Sequence, residues 1–253
     1  MKIAVCIKQV PTREWQPRLS DDKTWIREQD VSYAMNEPDA YALEEALRLR
    51  EKHGGEVVVC SAGPARVAQV IREALARGAD RALHVEADSL GQADAFVIAD
   101  ALAHAMRDEK FDLVLTGLQS DDQGHAQMGV ALAERFGIPH STIIMEVQVS
   151  ESSVRVKREL EGGWFQWITM PLPALLTIQS GINQLRYATL KGIMAAKKKE
   201  IRRVDLPQGI QPSQKIVALA LPIKTKQTQM ISGSPADAAK DLVRRLREEA
   251  RAL

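Results

Sequence analysis

Over its first two-thirds the chain alternates short apolar runs with stretches of helical period, and few folds accept that alternation. Residues 3–7 (IAVCI) form an uninterrupted apolar run between Lys2 and Lys8. Such a run reads as a strand buried on both faces. Residues 35–39 (MNEPD) then open a helix. Asn36 is placed to cap it, Pro38 suits the first turn, and Asp39 adds favourable charge there. Ala40, Leu43 and Leu47 give it a buried stripe, and Gly54-Gly55 stops it. Further strands are predicted at 57–60, 82–85 and 113–116. The turn 61–64 (SAGP) leads into a helix with Val67, Val70, Ile71 and Leu75 on one face, ended by Gly78. Helices are also predicted at about 93–107 and 125–136. A βαβα order of this kind implies a doubly wound, mostly parallel α/β sheet with helices on both faces.

Beyond residue 143 the pattern changes. Segments 143–149, 154–160 and 164–169 look like shorter alternating strands, and Gly162-Gly163 between the last two signals a hairpin. Another strand is predicted at 173–179. The stretch 180–203 is polar and basic. An extended tail follows, then a helix over about 235–250. Its apolar stripe, Ala238, Leu242 and Leu246, is thin enough to imply docking on a partner.

Composition narrows the function. The 253 residues carry 34 Lys or Arg and 33 Asp or Glu, a net charge of +1, which argues against duplex DNA as a partner. Four Phe, four Trp and three Tyr are too few for stacking platforms on single-stranded nucleic acid. Cys6 and Cys60 sit in predicted strands and read as buried thiols of a cytoplasmic protein. No CxxC or HxH pair suggests a metal site. Apolar runs such as 216–223 are too short to span a membrane, and the five apolar residues between Lys2 and Lys8 are too few for a secretion signal.

Open parallel sheets bind ligands beyond the carboxyl ends of their strands. Four segments should converge there: 6–11, 36–39, 61–64 and 117–129. The last, Gly117-Leu118-Gln119-Ser120-Asp121-Asp122-Gln123-Gly124-His125-Ala126-Gln127-Met128-Gly129, is a polar, glycine-bounded loop entering a helix. Free backbone N–H groups at a helix start suit a phosphate. No GxGxxG or GxSxG occurs, and Val130 follows Gly129 where a Walker loop needs lysine. Asp121-Asp122 is a candidate for Mg²⁺, though a solvated carboxylate pair is the commoner arrangement. Residues 157–163 (KRELEGG) read as a charged hairpin tip. Leu185, Tyr187, Leu190, Ile193 and Met194 lie among seven Lys or Arg and one Glu over 186–203, the pattern of a docking surface with a basic rim.

Together these segments resemble the β subunits of electron transfer flavoproteins. VCIKQVP (5–11), NEPDAYALEEALRLR (36–50), ALARGADRALHV (74–85) and VKRELEGG (156–163) carry the resemblance, which covers nearly the whole chain. GLQSDDQG, RELEGG and LTIQSGINQLRYATLKGI are especially similar to β subunits serving trimethylamine dehydrogenase-type flavoenzymes.

The resemblance implies an adenine nucleotide α hydrolase-like fold over 1–204, with a recognition loop at 183–200, and a 205–253 tail and helix that pack on the α subunit. It implies an obligate heterodimer in which the α subunit holds the redox FAD. Electrons pass from flavin dehydrogenases to an acceptor such as a membrane quinone oxidoreductase. The chain is thus expected to be a carrier subunit and not an enzyme; an adenine-nucleotide-using enzyme is the remoter alternative. Structural AMP is expected in this subunit, with a second FAD in its place, as in bifurcating members, as the alternative.

Carried over by motif, the nucleotide site comprises Cys6, Asn36, Glu37, Pro38, Asp39, Ala62, Gly63 and the loop from Gly117 to Met128. The resemblance places Arg13 near the α-subunit FAD and Glu159 against the α subunit. It also implies that Leu190 is the anchor of dehydrogenase docking, with Tyr187, Ile193, Lys197 and Lys198 around it. Two departures stand out: Met128 replaces a hydroxyl residue, and Ala195 replaces a lysine that some members methylate.

Overall fold

A computed structural model describes residues 1–222 and 228–252; residues 223–227 of the expected tail, and residue 253, lie outside the described residues. The chain divides into two compact units, Met1–Leu219 and Ala220–Leu253.

The first unit is built on a nine-stranded sheet. Its strands are β1 (Lys2–Cys6), β4 (Glu56–Gly63), β5 (Arg81–Glu86), β6 (Leu113–Gly117), β7 (His140–Val149), β8 (Ser153–Glu159), β9 (Phe165–Pro171), β10 (Ala174–Ile178) and β11 (Ile201–Val204). They run in the order β11-β5-β4-β1-β6-β10-β7-β8-β9. β11 through β7 are mutually parallel, while β8 and β9 are antiparallel additions. The doubly wound, mostly parallel α/β prediction therefore holds, and the hairpin at Gly162-Gly163 joins β8 to β9.

Period-two alternation sorts each central strand between two cores. On one face Ile3, Val5, Val57 and Val59 pack under α1 (Glu37–His53) and α2 (Ala68–Arg77), where Leu43, Leu47, Ile71 and Leu75 are fully buried. On the other, Ala4, Cys6, Val58 and Cys60 meet α3 (Ala95–Met106) and α4 (Met128–Phe136). Burying each such leucine or isoleucine contributes roughly 1.5–3 kcal/mol. Both cysteines are free and buried, and burial pushes both thiols up in pKa. Asp94 caps α3 by accepting from Val97 N at 2.8 Å, and Gly137, left-handed at φ 62°, closes α4.

Several elements differ from expectation. The helix expected from 125 starts at Met128, because Gly124 and Ala126 adopt positive φ and extend the loop. A two-stranded sheet of β2 (Gln9–Pro11) and β3 (Tyr33–Met35) was not expected; its three-residue strands are too short to show a period. The polar stretch 180–203 contains a helix, α5 (Leu190–Ala196), and the edge strand β11, whose half-exposed IRRV lacks an apolar run. Residues after β11 stay with the first unit: Ser213 N and Gln214 N donate to Asp94 at 2.5 and 2.7 Å, and Leu206 and Ile210 pack against a third small core.

In the second unit, α6 (Pro235–Glu248) starts at Ser234, whose hydroxyl accepts from Asp237 N at 3.2 Å. None of its residues is buried, and Leu242 and Val243 are exposed. No described helix is long and apolar enough to cross a membrane.

Candidate functional site

The carboxyl ends of β1, β4 and β6 meet where the sequence places a ligand. Ser61 Oγ donates to Ile7 O at 2.7 Å, tying β4 to the chain beyond β1. Asp39, in the first turn of α1, accepts from Lys8 N at 2.7 Å and from Gly117 N at 2.9 Å. One carboxylate thus binds the strand ends of β1 and β6 to one helix. Its burial pushes its pKa up to about 7, against the pull of those donors. Gly117 has no room for a side chain, since a Cβ would run into Asp39 and Pro38.

Asn36 departs from its expected role. It occupies the cap position of α1, yet its side chain makes no capping bond. Its amide instead donates to Gln119 O and accepts from Asp121 N, both at 2.9 Å. Buried to 1% exposure, it clamps the loop after β6. Lys8 holds the same loop from the other side: its Nζ donates to Asp122 Oδ1 at 2.7 Å, Gln123 Oε1 at 3.1 Å and Ser120 Oγ at 3.3 Å. Arg13 pairs with Glu37 and lies 3.6 Å from Asp121. The two carboxylates considered for Mg²⁺ therefore face cations, and no group of three potential metal ligands occurs among the described residues. Nothing in the sequence marks Lys8 for this role, because a lysine next to an apolar run carries no local signal of a contact more than 110 residues away.

The rest of the candidate set falls around this frame. Leu118 N donates to Ile178 O at 2.9 Å, so the loop leaves the sheet beside β10. Gly124, His125, Ala126 and Gln127 are exposed at the threshold of α4. Met128 packs against the core beneath α3 and α4. Gly129 is confined, since a Cβ there would lie 2.8 Å from Thr116 Oγ1 and from the Thr177 methyl. Cys6 is buried in the same core as Met128, Ala62 is half-buried, and Gly63 O accepts from Ala87 N at 3.2 Å. A separate cavity of about 620 Å³ opens between the ends of β4 and β5, lined by Pro64, Arg66, Asp88 and Gln92 with Glu28. The only trace of it in the sequence is the turn 61–64.

The segment expected to dock is a fixed helix. Thr189 caps α5 by accepting from Gly192 N at 3.0 Å, and Gly192 approaches Ala76 O too closely for any Cβ. Arg72 of α2 donates to Ala196 O at 2.5 Å and Lys199 O at 2.7 Å. Tyr187 and Leu190 are 93% and 83% exposed, and Ile193 and Met194 are exposed beside them. The basic rim is smaller than composition suggests. Arg186 pairs with Glu44 at 2.8 Å and Glu51 at 2.5 Å, and Lys199 reaches Leu75 O and Ala79 O at the end of α2. Arg202 pairs with Glu109 at 3.0 Å and Arg203 with Glu86 at 3.2 Å. Lys191, Lys197 and Lys198 are left without an ion pair among the described residues. Glu159, on the hairpin, accepts from Gln179 Nε2 at 3.3 Å.

A doubly wound sheet whose strand ends are tied to a glycine-bounded loop and a helix start belongs to the class of doubly wound α/β domains, in which ligand sites lie at the carboxyl ends of the strands. The electron transfer flavoprotein domain family matches residues 23–208. The chain is 35% identical to the electron transfer flavoprotein subunit beta of Methylophilus methylotrophus, with 98% of each chain covered. It is 35% identical to that of Bacillus subtilis over the whole of both chains, and 35% identical to that of Homo sapiens over 98% of this chain and 97% of the human one. The chain belongs to the electron transfer flavoprotein β-subunit family, whose members are electron carriers and not catalytic enzymes.

Proposed function

We propose that this chain pairs with an FAD-bearing α subunit as the β half of a cytoplasmic electron carrier, and that it holds AMP at the carboxyl ends of β1, β4 and β6. In this reading it accepts electrons, by way of the α-subunit flavin, from flavin dehydrogenases that dock on α5, and delivers them to a quinone oxidoreductase. The observation that carries the nucleotide assignment is the loop fixed by Asn36, Asp39 and Lys8. It closes on itself through Gly124 N, which donates to Ser120 O at 2.8 Å, and brings the exposed residues His125 to Gln127 to the start of α4, where helix-end N–H groups suit a phosphate.

AMP supplies no redox chemistry; it fills and orders the site. Asn36 and Lys8 hold the loop in register, and Gly117 keeps the approach free of a side chain. Arg13, half-neutralised by Glu37, stands at the mouth of the site, toward the α-subunit flavin. Leu190, with Tyr187 and Ile193 around it, inserts into the dehydrogenase, while Lys197 and Lys198 contribute steering charge. Glu159 faces the α subunit, and of the 205–253 segment it is the second unit, from Ala220, that packs on it. The free, buried thiols of Cys6 and Cys60 suit a reducing compartment.

A second FAD in place of AMP is favoured by one observation: Met128 packs into the core and offers no hydroxyl at the helix start. Counting cofactors in the purified heterodimer decides between the readings. One flavin and one AMP per dimer is the expected result, and two flavins overturn the AMP assignment. Nucleotide turnover by the purified dimer would overturn the carrier reading.

A further inference from the structure

Between the end of β10 and the start of α5, residues 179–189 belong to no helix or strand, yet they lead straight into the exposed side chains of Tyr187 and Leu190. Side chains hold this segment against α1. Ile182 and Leu185 pack on the core beneath that helix. Asn183 Nδ2 donates to Tyr41 O at 3.2 Å and to Glu45 Oε2 at 3.0 Å, and Arg48 Nη2 donates to Gln184 O at 3.3 Å. Arg186 then commits every guanidinium nitrogen to α1. Its Nε and Nη2 donate to Glu44 at 2.8 and 3.1 Å, and its Nη1 and Nη2 donate to Glu51 at 2.5 and 3.2 Å. Its backbone N–H also donates to Glu44, at 3.3 Å. Glu44 and Glu51 lie two turns apart on one face of the helix. Glu44 is buried, and Arg48 Nε donates to it at 3.0 Å.

We propose that Arg186 is a positioning residue for dehydrogenase docking: its double bridge to Glu44 and Glu51 fixes the chain on α1 so that Tyr187 and Leu190 are presented together, and it does not itself touch the dehydrogenase. The inference rests on the docking role given to α5 above. The order of the residues carries it. Tyr187, next to the bridge, is 93% exposed and Leu190 is 83% exposed, so Arg186 is the last fixed side chain before the apolar anchors. Cations that meet a partner are left free of carboxylates, as Lys191, Lys197 and Lys198 are among the described residues. Arg186 instead faces two carboxylates of its own chain, and it holds the Glu51 carboxyl below its ordinary range. A planar guanidinium can grip two carboxylates at once, which the point charge of a lysine does less well. Holding the segment in place beforehand removes an ordering cost that the encounter would otherwise bear.

The test follows reduction of the co-expressed heterodimer, as the varied substrate, with trimethylamine dehydrogenase as the donor. Arg186→Gln should raise KM for the dimer about tenfold and leave kcat within about twofold. Arg186→Lys should recover part of the loss. Glu51→Gln, at an exposed carboxylate where folding is not at stake, separates positioning from contact. An Arg186 that positions the segment loses half its bridge, and KM should rise about threefold. An Arg186 that meets the dehydrogenase directly gains unopposed charge, and KM should fall. An unchanged or lowered KM in Glu51→Gln, or a lowered kcat with KM unaltered in Arg186→Gln, overturns the proposal. Leu190→Ala tells its failure from that of the docking reading. If Leu190→Ala raises KM while Arg186→Gln and Glu51→Gln do not, the proposal alone falls. If Leu190→Ala leaves KM unchanged, or the unaltered dimer accepts no electrons from the donor, both fall.

Discussion

The Asp39 carboxylate accepts the Gly117 N–H at 2.9 Å across 78 residues of sequence, and no side chain fits at position 117. Gly117→Ala forces a methyl against Asp39 and the start of α1. Overpacking of this kind costs about 1–3 kcal/mol. A lowered denaturation midpoint together with loss of co-purifying nucleotide is the expected result; a variant with an unchanged midpoint would show that the approach is not tight.

Asp39 also sets a pH dependence. Its folded pKa of about 7 lies above the usual carboxylate value near 4, so the native state binds this proton more tightly than the unfolded chain. Its contribution is fully present below about pH 4 and is lost as pH rises through about 7, up to about 4 kcal/mol in all. Asp39→Asn removes that slope. The stability difference between wild type and variant should therefore shrink in favour of the variant from pH 4 to 7 and level off above, as followed by denaturant titration at several pH values.

Glu109 gives the opposite sign. Arg81 and Lys2 hold its carboxyl down to about 2, with Arg81 Nη2 at 2.6 Å and Lys2 Nζ at 2.7 Å. Its stabilisation is present above the ordinary glutamate value and is lost as pH falls toward 2. Glu109→Gln leaves Arg81 and Arg202 with one fewer partner at the amino ends of β1, β5 and β11. A loss of about 1–3 kcal/mol at pH 7 that vanishes at pH 2 is expected.

Lys8→Met removes three contacts to the loop 120–123. A charge-assisted hydrogen bond contributes about 1.5–3 kcal/mol, so nucleotide affinity should fall at least about tenfold. Amide exchange over the loop should quicken while the protection of β1 stays unchanged.

Leu190→Ala deletes the most protruding apolar side chain of α5. Losing about 1.5–3 kcal/mol of burial should weaken dehydrogenase docking about 10- to 100-fold. Stopped-flow reduction by the dehydrogenase should slow at low concentration, with flavin and nucleotide content unaltered.

The parallel core was legible because its strands are short, largely apolar runs and its first two helices end on Gly54 and Gly78. What escaped were contacts that join distant segments. Asn36 reads as a cap, yet its amide is drawn to the loop beyond β6, because two orphaned backbone groups there compete for it. Arg186 and Arg203 read as part of a cationic rim, but Glu44, Glu51 and Glu86, each remote in sequence, neutralise them. β11 is half-exposed and edge-bound, so no period marks it.

The helix α5 is fixed at both ends, at its start by the Thr189 cap and beyond its end by Arg72 and by the strand β11 in the main sheet. Whatever lands on it meets a surface that is already ordered, so the encounter carries little entropic penalty for folding a loop. Tyr187, Leu190, Ile193 and Met194 all point away from the fold, so they can be exchanged without disturbing it. One rigid frame can thereby be refitted to new partners by a handful of surface substitutions.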